Sequence, residues 1–261
     1  MKLTILGSGT VDPLAERACS GYFLETESGP LAFEMGNGVV RRAEQYGLPL
    51  TRVEHVFVSH LHPDHTTDLV TYLFARKYAP PPWSDAVSAA LYGPPGFADF
   101  LEKVYAAWPS VRPEPAEVRV LEYPEGGGEV YRAGPVSVSV LPVEHGDMKA
   151  YGFRFNEGDK VLAYSGDSKL CEGVMEVAQG ADLLLCECSC FPRGCEPLYC
   201  REVHMSWEDV AEVCEKTRPG RLLLTHLYKP VVERKPNPQD SLSDALDIEV
   251  ALAIDGDAYQ V

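Results

Sequence analysis

Positive charge is what this chain has least of. Its 23 Lys and Arg residues stand against 39 Asp and Glu, a formal charge of −16 with histidine neutral. Affinity for nucleic acid comes mainly from Lys and Arg on phosphates, so the imbalance disfavours a long polyanion as partner. No apolar run approaches the ~20 residues that cross a bilayer, which excludes a membrane-spanning helix. The first residues begin a strand at once, without the basic and apolar regions of a signal peptide. A cytoplasmic location is therefore expected, with the eight cysteines reduced. A CxxC pair is missing too. The dense group Cys186, Cys188, Cys190, Cys195 and Cys200 accordingly reads as inert thiols ahead of a third metal site or a redox disulfide. Neither an internal repeat nor a low-complexity stretch interrupts the 261 residues. One domain spanning 1–261, with a large core, is the expectation.

What the chain does have is histidine concentrated in one place. Three of its seven histidines fall in Ser59-His60-Leu61-His62-Pro63-Asp64-His65. The run Val53 to Val58 before them is β-branched and aromatic and reads as a buried strand. Thr66 to Phe74 after them has the apolar spacing of a helix entered through a Thr or Asp cap. Single histidines are usually surface residues. Three on one strand-to-helix turn, interleaved with Asp, read instead as metal ligands, and imidazole with carboxylate suits zinc, iron or manganese.

Further along, Glu34-Met35-Gly36-Asn37-Gly38 makes a tight loop before a helix from Val39 that stops at Gly47. Pro80-Pro81-Pro82 ends the helix after the histidine turn. Leu91 to Gly96 is a strand end and turn, and Phe97 to Trp108 a helix. Val118 to Leu141 alternates as β structure broken at Gly126-Gly127-Gly128. Tyr151–Phe155 and Val161–Tyr164 form a hairpin pair around Asn156-Glu157-Gly158-Asp159.

The run His60-x-His62-x-Asp64-His65 behind a hydrophobic strand resembles the signature of the metallo-β-lactamase fold. Over nearly the whole chain the likeness is to its RNase Z-like phosphodiesterase branch. Met1 to Thr10 is similar to that branch's opening strand and glycine turn, and Arg17 to Tyr22 to the approach to its second strand. The resemblance implies an α/β fold, a four-layer αββα sandwich with metals at one edge. In this fold the segment after Pro82 covers one side of the site, so Tyr78, Trp83 and Tyr92 are either pocket lining or ordinary core aromatics, core being favoured. Two positions depart from the pattern: Glu34 stands where the branch has Asp, and Asp68 where it has Gly.

The resemblance also implies two divalent transition-metal ions, zinc first and manganese or iron otherwise. It gives His60, His62 and His145 to metal one, and Asp64, His65 and His226 to metal two, with Asp167 bridging both. His145 follows a strand, Asp167 lies in a Ser-Gly-Asp-Ser segment similar to the family's Ser-Gly-Asp-Thr, and His226 ends the strand Leu222 to Thr225. Two cations ~4 Å apart would bring a shared water towards hydroxide at neutral pH and clamp developing charge. His204, before a helix with acidic first-turn residues, and Glu187 resemble the branch's paired His and Glu motifs. There the histidine stabilises or protonates near the scissile phosphate, and the glutamate orients it. Asp64, His204 and Glu187 are thus the implied catalytic residues, Asp64 being a ligand as well.

RNase Z carries a long basic arm after the segment corresponding to His145, whereas Tyr151 to Asp167 here has room only for two short strands. Together with the charge of −16, this makes a small or cyclic phosphodiester the expected substrate. Processing of tRNA 3′ ends comes second, and hydrolysis of another ester, such as a lactone or sulfate ester, third. An intact ligand set with His204 argues against a non-catalytic sensor. Arg193, Arg201, Lys229, Arg234 and Lys235 are the basic residues near the presumed site, enough to hold one or two phosphates. A homodimer is common in the branch.

Overall fold

A computed structural model describes residues 1–191 and 198–261, and Arg193 and Cys195 lie outside the described residues. In chain order the first half contains β1 (Lys2–Gly7), β2 (Gly21–Thr26), β3 (Gly29–Met35), α1 (Val39–Gln45), β4 (His55–Phe57), α2 (Pro63–Thr66), α3 (Asp68–Tyr78), β5 (Ala89–Gly93), α4 (Phe97–Ala107) and β6 (Val118–Glu122). The second half contains β7 (Gly128–Ala133), β8 (Val136–His145), β9 (Met148–Glu157), β10 (Lys160–Tyr164), α5 (Glu172–Ala178), β11 (Leu183–Glu187), α6 (Trp207–Thr217), β12 (Arg221–Thr225), α7 (Lys229–Glu233), α8 (Pro238–Ala245), β13 (Glu249–Leu252) and β14 (Ala258–Gln260). Among the described residues the strands form two seven-stranded sheets, in the orders β14-β1-β2-β3-β4-β5-β6 and β13-β12-β11-β10-β9-β8-β7.

Side-chain alternation decides the layers. Leu31 and Phe33 of β3 face Phe153 and Phe155 of β9 across the gap between the sheets, while Ala32 turns outward under α1 and α3. Leu162 and Tyr164 of β10 likewise point inward, and Ala163 points out towards α5 and α6. Each sheet thus buries both faces, one on the other sheet and one on helices. This is the expected αββα sandwich. Rings fill its centre, with Phe33 4.7 Å from Tyr22, 4.8 Å from Phe155 and 5.3 Å from Tyr164, distances at which offset and tilted aromatic pairs are favourable.

Strands β3 to β6 run parallel, as do β10 to β13. Their C-terminal ends therefore collect the loops that follow them, where open α/β sheets bind ligands. Close approach there requires glycine. A Cβ on Gly36 would lie 2.1 Å from the carbonyl oxygen of Asp64, and Gly166, at φ 62°, would bring one 2.5 Å from that of Tyr151.

Several local expectations are corrected. Neither Thr67 nor Asp68 caps the helix after the histidine turn. The chain enters α2 through Pro63 at its first position, and Thr67 is already helical without a capping bond. The Asp68 carboxylate instead accepts the N–H groups of Gly38 at 3.1 Å and Val40 at 2.9 Å, fastening the start of α1. Val118 to Leu141 holds a second turn, at Gly134 between β7 and β8. Of the three aromatics, Tyr92 lies in the inter-sheet core, Trp83 packs edge-on against Tyr72 at 5.9 Å, and Tyr78 is 58% exposed.

The cysteines are not all reduced: Cys190 and Cys200 form a disulfide. Cys186 and Cys188 are free thiols buried on the same outer face of β11 and the residue after it, where burial pushes both well above the ordinary thiol value. Closing a loop of this size is worth about 2–3 kcal/mol through the unfolded chain. We expect Cys200→Ser to lower the unfolding free energy by that amount, read as a lower denaturant midpoint at unchanged slope, and dithiothreitol to do the same to the unaltered protein only. An unchanged midpoint in both would mean that the pair is not bonded in solution.

Candidate metal centre

Four strand ends and one helix start deliver the titratable groups to one edge. The turn after β4 brings His60 and His62, α2 begins with Asp64 and His65, and β8 ends on His145. The loop after β10 carries Asp167, and His226 follows β12. His60 Nε2 lies 3.0 Å from His62 Nδ1, which is 3.1 Å from His145 Nε2. Three imidazole nitrogens thus converge on one point. Asp64 Oδ2 is 3.4 Å from His226 Nε2 and 4.0 Å from His65 Nε2. Between the two groups sits Asp167, with Oδ2 3.8, 3.2 and 3.1 Å from the Nε2 atoms of His60, His65 and His226. All seven residues of the expected ligand set are therefore together, and His60–His62–His145 and Asp64–His65–His226 are groups that could each hold a metal ion.

The donor chemistry fits divalent transition metals. His65 Nε2 and Asp167 Oδ1 are buried and make no hydrogen bond, an arrangement that a buried polar atom tolerates only if something else satisfies it. Apart from His62, which turns Nδ1 to the site, the ligand histidines have their outward nitrogens engaged. With Nε2 turned to the site, Nδ1–H of His145 donates to Val203 O at 2.9 Å, that of His65 to Glu34 Oε2 at 2.9 Å, and that of His226 to Ser189 Oγ at 2.8 Å. His60 Nδ1 stands 3.0 Å from Ser59 Oγ. Such bonds fix the tautomer and ring orientation that ligation needs.

Glu34, the departure from the family's Asp, is absorbed by the backbone. Its φ is 60°, and the β2–β3 register slips there, Gly21 opposing Met35 while Tyr22 opposes Phe33. The bulge re-aims the longer side chain so that Oε2 meets His65 and Oε1 accepts Ser59 N–H at 2.9 Å. His226 is also left-handed, at φ 53°, and backbone strain of this kind tends to gather at functional sites.

Charge follows geometry. Burial, and then the neighbouring His65, push His60 well below its ordinary value, and burial with His145 lowers His62, so both rings are neutral. Full burial opposes ionisation of Asp167, but His226 and His65 outweigh it and hold the carboxyl well below the usual range. For Asp64 burial is likewise outweighed, by the His226 hydrogen bond and His65, leaving it at about 2.

Beside the ligand groups, His204 Nδ1 lies 2.9 Å from Glu187 Oε1, and its ring centre 4.9 Å from His145 and 5.3 Å from His226. Glu187 is fully buried, accepting Ser168 N–H and Ser189 Oγ–H at 2.7 Å each. Burial alone would depress His204, yet the Glu187 carboxylate outweighs it and raises the ring to about 9.

Ser59 and Ser189 were not singled out in the sequence, because a hydroxyl two residues past a strand carries no pattern of its own. The sequence reading also missed a cavity of about 820 Å³ beside Asp64, whose lining includes Arg17, Arg41 and Arg42. Among the basic residues it proposed, Lys229 pairs with Glu233 at 3.8 Å, Lys235 with Asp240 at 3.9 Å, and Arg234 lies over the Phe191 ring.

Residues 36–227 match the beta-lactamase superfamily domain. A ribonuclease Z of Mycolicibacterium gilvum is 27% identical, covering 92% of this chain and 87% of its own. Among solved structures, the metallo-beta-lactamase fold protein YhfI from Bacillus subtilis superposes with a TM-score of 0.81 at 22% identity, over 99% of both chains. The short form of human tRNase Z does so at 0.77 with 21% identity, over 100% of this chain and 99% of its own. At these identities the solved structures speak for the fold.

Glu187 generates a prediction for the metal-free protein. Because the His204 pKa is raised from 6.5 to about 9, the pair stabilises the fold fully below about 6.5 and loses that contribution as pH rises through 9. In Glu187→Gln burial dominates instead, so the His204 ring resonance should titrate below 6.5. A titration unchanged from the parent would mean that Glu187 does not hold the proton.

Proposed function

The chain belongs to the beta-lactamase superfamily, in its RNase Z-like branch, and is a metal-dependent hydrolase; from that premise we propose that it is a binuclear phosphodiesterase acting on a small or cyclic phosphodiester. We read its two sheets as one domain. His60, His62 and His145 would hold one ion and Asp64, His65 and His226 the other, with Asp167 shared and zinc the first candidate by donor type. Bound divalent ions supply an activated water and polarise the phosphoryl oxygens. The rest is done by the chain's own residues. Asp167 and Asp64 offset cationic charge where it would otherwise be uncompensated. Glu187 holds His204 through Nδ1 and keeps it protonated, so that Nε2–H is free to donate to a phosphoryl or leaving oxygen as charge develops.

The observation that carries this reading is the His204–Glu187 pair beside the ligand groups. A metal site alone would need no further buried imidazolium. The substrate's size is argued from the β9–β10 hairpin, where Glu157 pairs with Lys160 and the turn between them is two residues long. Among the described residues no basic arm extends from this region. A second reading, tRNA 3′-end processing, is favoured by the relative named ribonuclease Z. Accurate cleavage of a 3′-extended pre-tRNA at physiological salt, with tight and salt-sensitive binding, would establish it over the first.

Asp167→Ala should deplete metal at both sites, and His226→Ala chiefly at one. Full activity with one ion or none would sink the binuclear scheme. His204→Ala should cut phosphodiester turnover by roughly 10²–10⁴-fold, the scale of general acid catalysis, while metal content barely moves. The loss should be larger for a nucleoside leaving group than for p-nitrophenolate, which needs less help to depart. Equal losses would make the imidazolium an electrostatic stabiliser rather than a proton donor.

A further inference from the structure

The cavity beside Asp64 holds a charge arrangement that the reading above does not use. It has a volume of about 820 Å³, within the range of pockets that bury small organic ligands. One wall is the segment before β2, where Val11 is an exposed apolar side chain at 64%. The other is α1, and Asp64 with Thr67 forms the end nearest the candidate metal centre. Three arginines line it in a chain whose formal charge is −16.

Their partners are unequal. Arg17 is half-buried, donating to Ser8 Oγ and Ala253 O at 2.5 Å each, and faces the Asp255 carboxylate. Arg42 lies 3.6 Å from the same carboxylate and donates to Ala15 O at 2.9 Å. Asp255 spends its remaining acceptor capacity on Ser8 N–H, Ser8 Oγ–H and Ala18 N–H. One buried carboxylate therefore answers two guanidiniums. Arg41, one residue earlier on α1, is exposed and has no ion pair or hydrogen bond among the described residues. Asp12 is the acid in the lining that opposes them, while Asp64 is committed to the candidate metal centre. With Asp64 so committed, three guanidiniums remain against the carboxylates of Asp12 and Asp255, and the exposed Arg41 shares the lining with the exposed apolar Val11.

We propose that this cavity is a substrate subsite for a second anionic group, a phosphate or carboxylate, on an organic phosphodiester whose scissile phosphate lies at the metal centre. Arg41 grips the anion, and Val11 covers the organic body that links it to the scissile phosphate. The proposal rests on the phosphodiesterase reading and narrows its substrate class to diesters that are anionic at two places. Arg17 and Arg42 are positioning residues here: their bonds to Ala253, Ala15 and Asp255 tie the wall before β2 to α1 and to the chain's last loop.

Binding separates this subsite from turnover. On metal-loaded His204→Ala protein, calorimetric titration with adenosine 3′,5′-bisphosphate and with adenosine 5′-monophosphate compares ligands that differ by one phosphate. The bisphosphate should bind about 10- to 100-fold more tightly, the scale of a hydrogen-bonded charge pair. Arg41→Gln should erase most of that ratio with little change in the monophosphate's affinity or in melting temperature. Equal affinities in the Arg41-containing protein, or a preference that survives Arg41→Gln, would each overturn the subsite. Turnover of bis(p-nitrophenyl) phosphate by the unaltered protein is scored separately. Its absence would count against the phosphodiesterase reading, while the titration still decides whether the cavity takes a second anion.

Discussion

The Asp167 carboxylate is the group on which the rest of the molecule depends. It is 2% exposed, and its Oδ2 lies within 4 Å of imidazole nitrogens from His60, His65 and His226. An isolated carboxylate at that depth costs several kcal/mol, so positive charge has to be brought to it. The imidazoles gathered on it come from both sheets, so the strand ends of the two facing sheets have to coincide at this end of the sandwich. That obligation shows in the backbone. Gly166 turns the chain into Asp167 in the left-handed region, with Tyr151 too close for a side chain, and Tyr22 Oη reaches Thr225 Oγ1 at 2.7 Å between the sheets.

Around this carboxylate, rigidity is supplied by residues that would touch neither metal nor substrate. Ser189 Oγ accepts a hydrogen bond from His226 and donates one to Glu187, so a single hydroxyl links a candidate ligand to the residue that orients His204. Val203 O receives His145, one residue before His204 itself. Cys190, bonded to Cys200, begins the segment that carries both, and Cys200 O accepts His204 N–H at 2.8 Å. The candidate acid and the candidate ligands are thus set by one connected group of hydrogen bonds. Such networks gain strength in a low-dielectric interior and lose it as a unit when one member fails.

How much of this was legible in the sequence followed from how local each signal is. The histidine turn could be read because ligand type and strand–turn–helix context sit within a few residues. The layers were legible through the family likeness rather than through alternation, because each sheet buries both faces and strands such as β3 offer no solvent side to read. His145, Asp167 and His226 are weak singly, and became readable only through a family likeness that fixes their order. The disulfide was missed because Cys190 and Cys200 are joined by three-dimensional approach, for which spacing gives no rule. The arginine cavity was missed for a similar reason: its cations lie in the segment before β2 and on α1, brought together by Asp255 near the chain's end. Glu34 looked like a departure from the family, and the bulge that restores its reach to His65 is a backbone feature with no residue pattern of its own. Tyr78 and Trp83 offered aromatic content without periodicity, and periodicity is what separates surface from core.

The central claim is that one buried aspartate stands between two metal ions, and anomalous X-ray scattering from crystals of the zinc-loaded protein tests it most directly. The account predicts two anomalous peaks ~4 Å apart, one within ligand distance of His60, His62 and His145, the other of Asp64, His65 and His226, with Asp167 between them. A single peak, or peaks at the cysteines with none beside Asp167, would contradict it.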